Sequence, residues 1–101
     1  MTAYLIVRAQ VDPSVRDGFD TWYQNEHLPD AFKAFAPISA KRGWSELEES
    51  VHIAFYEFPS LARANEVMAS DKIAALIEEF DRHWLGKVTR TREVVEFVQK
   101  L

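Results

Sequence analysis

The sequence has 101 residues, 48% of them hydrophobic, and no linker or repeat interrupts it; this is enough apolar material for one core, so we expect a single domain over residues 1–101. Its net charge of −4, from 12 basic and 16 acidic residues, disfavours nucleic acid or an anionic membrane surface as a partner, because both need a basic protein surface. The absence of cysteine excludes disulfides and cysteine metal sites and fits a cytoplasmic protein, and no apolar run is long enough for a signal peptide or a membrane span.

The first third of the chain predicts a strand followed by helical segments. Residues 2–11 are β-branched and aromatic, which is typical of a strand. Asp12 and Pro13 suit the N-cap and first turn of a helix. We expect the Leu28–Pro29 step to break or restart this helix, and a short helical piece to follow over residues 30–36. The apolar face of the first helix is formed by residues at helical spacing: Val15, Phe19, Trp22 and Tyr23.

The middle of the chain predicts two strands, residues 39–48 and residues 51–58. A tight turn over residues 48–50 would join them. The short connection indicates that the two strands pair in an antiparallel hairpin.

The last third predicts helices and a final strand. Ser60 and Ser70 suit the N-caps of two successive helical pieces, and Gly86 suits the end of the second. Residues 87–99 predict a long strand with a bulge at residues 94–95, where the alternation slips by one. The second helical piece carries an apolar stripe of Ile73, Leu76, Ile77, Phe80 and Trp84.

The order β-α-β-β-α-β is that of the ferredoxin-like α+β fold, an antiparallel four-stranded sheet with both helices on one face. The strands carry apolar groups on both faces, as Tyr4 and Ile6 against Leu5 and Val7 show. Two short helices cannot cover both faces of four strands. We therefore expect a homodimer in which the two uncovered sheet faces meet.

Residues 19–29, FDTWYQNEHLP, together with the element order, resemble the dimeric α+β barrel superfamily and within it the EthD-like group. That group has an aromatic pair on the first helix, then a His-x-Pro step, then a basic and aromatic second strand, supplied here by Lys41, Arg42 and Trp44. One departure is that no glycine stands between Phe35 and Ala40, where many relatives have one.

The resemblance implies a homodimer with a mostly apolar cavity that takes a small hydrophobic or aromatic molecule. Members of the superfamily include isomerases, cyclases and dehydratases of small aromatic or lactone substrates, cofactor-free monooxygenases and haem-degrading enzymes. The fold alone does not decide between these reactions.

His27 is the leading candidate for chemistry. It follows Tyr23 by four residues and so shares a helix face with it, and a break at Pro29 would place it at a helix end, where the dipole favours the imidazolium. These features indicate a general acid/base with a pKa near neutrality. We expect Glu26, Tyr56 or a backbone carbonyl to hold its second ring nitrogen. The alternative is a structural histidine that caps the helix end.

His52 is the second candidate. By strand alternation it shares a face with Ala54, Tyr56 and Phe58. If that face borders the cavity, His52 and Tyr56 join His27 there, and some EthD-like isomerases are similar in using histidines from these two regions. The alternative is a histidine at the end of a strand, near solvent.

The remaining candidates are aromatic and basic side chains that would contact the substrate. Trp44 shares a strand face with Arg42 and is the better cavity candidate, whereas the helical spacing of Trp22 favours the core. The predicted catalytic residues are His27, His52 and Tyr23, and the predicted substrate-binding residues are Trp22, Arg42, Trp44 and Tyr56.

Four arginines lie on predicted strands: Arg8, Arg42, Arg90 and Arg92. Inside a sheet sandwich such charges need carboxylates or an anionic ligand. We expect them to pair with the glutamates of the strand regions, which are Glu46, Glu57, Glu93 and Glu96. A carboxylate-bearing substrate is the alternative.

We expect no cofactor and no metal, because the sequence lacks a Gly-rich phosphate loop, metal-ligand spacing and a serine nucleophile motif. Haem-degrading relatives use a helical histidine as iron ligand, for which His83 is the counterpart, but their first-strand asparagine is missing here.

The leading hypothesis is a cofactor-free enzyme that moves protons on a small hydrophobic substrate, as an isomerase, cyclase or dehydratase does, with His27 as acid/base and His52 or Tyr23 assisting. The alternatives are a non-catalytic dimer for small-molecule binding or assembly, and an oxygen-using monooxygenase.

Overall fold

The computed structural model describes all 101 residues. Its strands are β1 (Ala3–Val11), β2 (Ser39–Trp44), β3 (Val51–Phe58) and β4 (Val88–Glu96). Its helices are α1 (Arg16–Trp22), α2 (Leu28–Phe35), α3 (Leu61–Met68) and α4 (Asp71–Trp84). A 3₁₀ turn over Pro13–Val15 precedes α1, and a π-turn over Tyr23–His27 joins α1 to α2. None of these helices has the length and apolar character that crossing a membrane requires.

The sheet has the strand order β2-β3-β1-β4, with all neighbours antiparallel. The predicted ferredoxin-like α+β class, a four-stranded antiparallel sheet with the helices on one face, is confirmed. β2 ends at Trp44 rather than at residue 48, and β4 ends at Glu96 rather than at residue 99.

The predicted bulge in β4 is wrong, because β1 and β4 pair without interruption from Val88 to Glu96. Val94 pairs with Leu5 on the helix-covered face and Val95 with Tyr4 on the open face. The alternation of apolar and polar residues is interrupted in the sequence because both faces of the sheet are apolar at these two positions. The pairing therefore needs no extra residue in β4.

The core lies between the sheet and the helices. Residues of β1 and β3 that point toward the helices, such as Leu5, Ala54 and Tyr56, are fully buried. Their neighbours on the opposite face, such as Ile6 and Phe55, are half-buried in the single chain. The open face therefore has the apolar character predicted from the sequence, and the homodimer stays a prediction.

Side-chain caps fix the helix starts as predicted. Asp12 accepts a hydrogen bond from the Ser14 backbone N–H, Ser60 from that of Arg63, and Ser70 from that of Ile73. These oxygens satisfy backbone donors that have no partner within the helix.

Of the two outcomes predicted for the Leu28–Pro29 step, the break is wrong and the restart is what occurs, since α2 begins at Leu28. The chain is helical from Arg16 to Phe35, and Pro29 lies in the first turn of α2, where its missing N–H costs least. The residue before it, Leu28, donates its backbone N–H to the Tyr23 carbonyl five residues back. This longer loop widens the helix and accommodates the proline ring.

Candidate active site

The π-turn sets the direction of the side chains that follow it. In a straight α-helix of 3.6 residues per turn, His27 would be rotated by about 80° and Phe35 by about 160° from Phe19. The extra residue in the π-turn turns the following segment back by about 100°. Phe19, Trp22, Tyr23, His27 and Phe35 are consequently all buried on one face.

His27 lies in a box of aromatic rings. Its imidazole stacks on Trp22 with centroids 4.8 Å apart and an interplanar angle of 22°, and the edges of Tyr23 and Phe80 contact it at 4.8 and 5.6 Å. Only 9% of the residue is exposed. Its Nδ1 is buried without a hydrogen-bond partner.

Two predictions about His27 are therefore wrong. It does not lie at a helix end, so no helix C-terminus stabilises its charge, and neither Glu26, Tyr56 nor a backbone carbonyl bonds to Nδ1. Burial lowers the pKa of His27 to about 4, and the charges of Arg90 and Arg92 contribute in the same direction. The imidazole is uncharged at neutral pH.

Tyr23 and Tyr56 form a buried pair next to His27. Their hydroxyl oxygens lie 3.3 Å apart. Burial raises the pKa of Tyr23 and raises that of Tyr56 well above its usual value, so both hydroxyls stay protonated at neutral pH. One hydroxyl hydrogen bonds within the pair, and the second is available to another acceptor.

A cavity of about 30 Å³ lies between the sheet and the helices. Its polar lining consists of Tyr23, His27, Tyr56, Arg90 and Arg92. The rest of the wall is apolar and is formed by Leu5, Val7, Phe35, Ile73, Leu76, Ile77 and Phe80. This volume corresponds to about one or two water molecules.

Arg90 and Arg92 reach the cavity from β4. Arg90 lies 3.7 Å over the Phe80 ring and 3.4 Å from the Asp81 carboxylate. Burial lowers the pKa of Arg90 to about 10, with the charge of Arg92 as the second cause, and burial also lowers the pKa of Arg92. No acidic side chain lines the cavity, so its walls are positively charged.

His52 belongs to a separate polar cluster at the β2 side of the sheet. Its Nε2 lies 3.2 Å from Nη1 of Arg42, which donates to Oδ1 of Asp20 at 2.7 Å. Trp44 Nε1 donates to the same oxygen at 2.9 Å. Burial lowers the pKa of His52 to about 4, with the charge of Arg42 next, so Nε2 is free to accept from the guanidinium. The Tyr23 ring, 4.4 Å from the imidazole, lies between this cluster and His27.

No family model matches the sequence, and no curated protein matches it significantly. Solved structures do match it. One is an ethyl tert-butyl ether D (EthD) family protein from Bacillus halodurans, 18% identical, with a TM-score of 0.74 over 97% of this chain and all of that one. HapK from Hahella chejuensis is 14% identical, with a TM-score of 0.70 over 97% of this chain and 94% of its own.

A third similar structure is SnoaB from Streptomyces nogalater, a cofactor-independent oxygenase. It is 10% identical, with a TM-score of 0.69 over 99% of this chain and 96% of that one. The chain shares the ferredoxin-like α+β fold of these structures. In this fold the face of the sheet under the helices carries the cavity.

The fold brings three of the seven predicted site residues together at the cavity: Tyr23, His27 and Tyr56. Trp22 stacks behind His27 and does not line the cavity. The other three form the cluster around Asp20: Arg42, Trp44 and His52.

Arg90 and Arg92 were not among the predicted site residues, although a carboxylate-bearing substrate was the alternative partner for the strand arginines, and Asp20 was not predicted as the centre of the second cluster. The two arginines share a strand face with Val88 and Val94, which pair with the buried Val11 and Leu5. Strand alternation therefore places the two arginines on one face together with these valines. Which face points toward the helices, however, is known only once the strands are paired. Asp20 on α1 gave no signal, because its contacts are with β2.

The predicted glutamate partners of the strand arginines are wrong. Arg8 pairs with Glu48 across the end of the sheet, Arg42 with Asp20 and Arg90 with Asp81. Arg92 has no carboxylate within ion-pair distance.

His83 lies at the surface of α4, where its Nδ1 is 2.9 Å from the Glu79 carbonyl. No group of three or more histidine and acidic side chains is arranged to hold a metal ion.

Proposed function

We propose that the protein is a cofactor-free enzyme that transfers a proton to and from a small, largely apolar substrate, with His27 as the base. The observation that carries the proposal is the environment of His27, a buried uncharged imidazole in the wall of a cavity that two arginines also line. Isomerisation, cyclisation and dehydration all begin or end with such a transfer.

The uncharged state of His27 makes it a proton acceptor at neutral pH. Nδ1 is buried against the aromatic box, so Nε2 is the nitrogen left for a substrate proton. A base with a pKa of about 4 is weak in the free protein. Negative charge that develops on the substrate offsets the nearby arginine charges, and it raises the pKa of His27 during the transfer.

The other polar groups of the cavity suit the negative charge left on the substrate. Removal of a proton next to a carbonyl group leaves an enolate oxygen. The guanidinium groups of Arg90 and Arg92 and the free hydroxyl hydrogen of the Tyr23–Tyr56 pair are fixed donors for such an oxygen. Donors that are already oriented stabilise charge in a water-poor site without reorganisation.

A cofactor-independent oxygenase is the second candidate. The structural likeness to SnoaB favours it, and the first step would be the same, since a carbanion formed by loss of a proton to His27 can react with dioxygen. The two candidates differ in oxygen consumption. A non-catalytic binding dimer would show neither proton exchange nor oxygen consumption.

Deuterium exchange tests the proposal without knowledge of the full reaction. The protein is incubated in D₂O with small ketones, lactones and 2-aryl carboxylic acids, and loss of the C–H signal next to the carbonyl is followed by NMR. We expect exchange above the buffer rate for at least one class, and a loss of about 10²–10⁴-fold in the His27→Gln variant.

His83→Gln is the matched control, because this exposed histidine lies outside the cavity. Equal exchange in His27→Gln and in the unaltered protein, or no exchange with any class, would contradict the proposal. Oxygen uptake in the same samples distinguishes the oxygenase from the isomerase or cyclase.

A further inference from the structure

We propose that Arg90 and Arg92 form a carboxylate-binding site in the cavity, so that the substrates are small organic acids. This inference rests on the proposed function of the same cavity and adds the substrate class to it.

Arg90 and Arg92 lack a full set of acidic partners. Arg92 has neither an ion pair nor a side-chain hydrogen bond, and Arg90 has one acidic neighbour, Asp81, at 3.4 Å. The side chain of Asp81 is 49% exposed, so solvent weakens its effect. Two half-buried positive charges therefore share one partly solvated carboxylate, an arrangement that an anion bound between them would stabilise.

The two arginines are held so that both reach the cavity. Arg90 and Arg92 are two residues apart on β4 and point to the same side of the sheet, so their guanidinium groups converge on one cavity. Phe80 supports the Arg90 guanidinium from one face at 3.7 Å. An arginine that is fixed in this way presents a fork of N–H donors that matches the two oxygens of a carboxylate.

The side chains that face the two arginines across the cavity are either polar and uncharged or apolar. From the helical segment before α2 the cavity receives Tyr23 and uncharged His27, from β3 it receives Tyr56, and α4 contributes apolar side chains. None of these groups carries a negative charge at neutral pH. An anion between them would therefore meet donors and no repelling carboxylate.

The size of the cavity suits a carboxylate group. The cavity of about 30 Å³ accepts a group as large as a carboxylate but not an aromatic ring. The carboxylate would fill the space present, and the apolar body of the substrate would displace the half-buried Leu76 and Ile77 of α4.

Acetate and acetamide are the probes, because they have nearly the same shape and differ in charge. Their binding at pH 7 and constant ionic strength is followed by NMR through the Arg92 Nε–H and His27 ring signals. We expect saturable shifts with acetate and none with acetamide at equal concentration. We expect Arg92→Gln to weaken acetate binding about tenfold or more. Arg63→Gln, at a partly exposed arginine on α3 that does not line the cavity, is the control and should bind acetate as the unaltered protein does.

The outcomes separate this inference from the proposed function. Equal binding of acetate and acetamide, no saturable acetate binding, or unchanged affinity in Arg92→Gln would overturn the carboxylate site. If deuterium exchange still requires His27 in that case, the proposed function stands. If acetate binds at Arg92 but His27→Gln exchanges substrate protons normally, the carboxylate site stands and the role of His27 is wrong.

Discussion

At the scale of single residues, two buried histidines shape the chemistry and the stability of the protein. His27 and His52 are packed among aromatic rings, and burial is the main reason that the pKa of each is lowered to about 4. The unfolded chain binds protons at these side chains near the ordinary value of 6.5. Each therefore contributes stability that is fully present above pH 6.5 and is lost as the pH falls through 4.

We expect the free energy of unfolding to fall by about 1.4 kcal/mol per pH unit for each histidine between pH 6.5 and 4. Urea unfolding at closely spaced pH values measures this slope. His27→Gln should remove about half of it, and His27→Gln with His52→Gln should remove most of it. A free energy of unfolding that is constant over this range in the unaltered protein would show that the histidines are not buried in the uncharged form.

Part of the candidate site could be predicted from the sequence, because two of its residues are close together in the chain. Tyr23 and His27 are four residues apart on one helical segment, and that spacing is readable without a structure. The charge state of His27 was not readable, since it depends on Trp22, Phe80 and the β4 arginines, which meet only in the folded chain.

At the scale of elements, strands were easier to predict than the long helical segment. β3 was predicted within its observed bounds, because alternation of apolar residues is a local pattern. The disruption of the helix by Pro29 was overestimated. Whether a proline ends a helix or is accommodated depends on what the flanking residues bury, and here Tyr23 and Phe35 must reach the same core.

Ala36 provides a test at the end of α2. It adopts the left-handed conformation, with φ of 47°, at the exposed end of the helix, in the stretch where many relatives have a glycine. A residue with a Cβ is strained there. We expect Ala36→Gly to raise the free energy of unfolding by about 0.5–1 kcal/mol. This is the strain that the substitution removes, less the stability lost because glycine is more flexible in the unfolded chain.

Chemical denaturation at pH 7 measures the effect of Ala36→Gly. Ala69→Gly is the control, because Ala69 ends α3 with φ of −93°, outside the left-handed region. It should lower the stability. A destabilised Ala36→Gly protein would contradict the strain at this position.

At the scale of the whole molecule, the chain is two layers thick. Its shortest dimension is 20 Å, which matches one sheet and one layer of helices at about 10 Å each. No helix covers the second face of the sheet, where Tyr4, Ile6, Ile53 and Phe55 are half-buried. The apolar character of this face supports the prediction of a homodimer.

We expect sedimentation at micromolar concentration to give about twice the 11.7 kDa of one chain. Phe55→Glu should produce a folded monomer, because the new carboxylate faces solvent in the single chain and lies opposite Lys41 on β2. Phe32→Glu, at an exposed position on α2, is the control and should remain dimeric. A monomer in the unaltered protein would rule out pairing of the sheets.

His27 is an uncharged imidazole at neutral pH, and its protonation is governed by burial and by the arginines across the cavity. An NMR titration of the His27 ring carbons measures its pKa directly. We expect a value of about 4 in the free protein, and a higher value in Arg92→Gln because one of the charges that lower it is removed. A pKa at or above the ordinary 6.5, unchanged in Arg92→Gln, would contradict it.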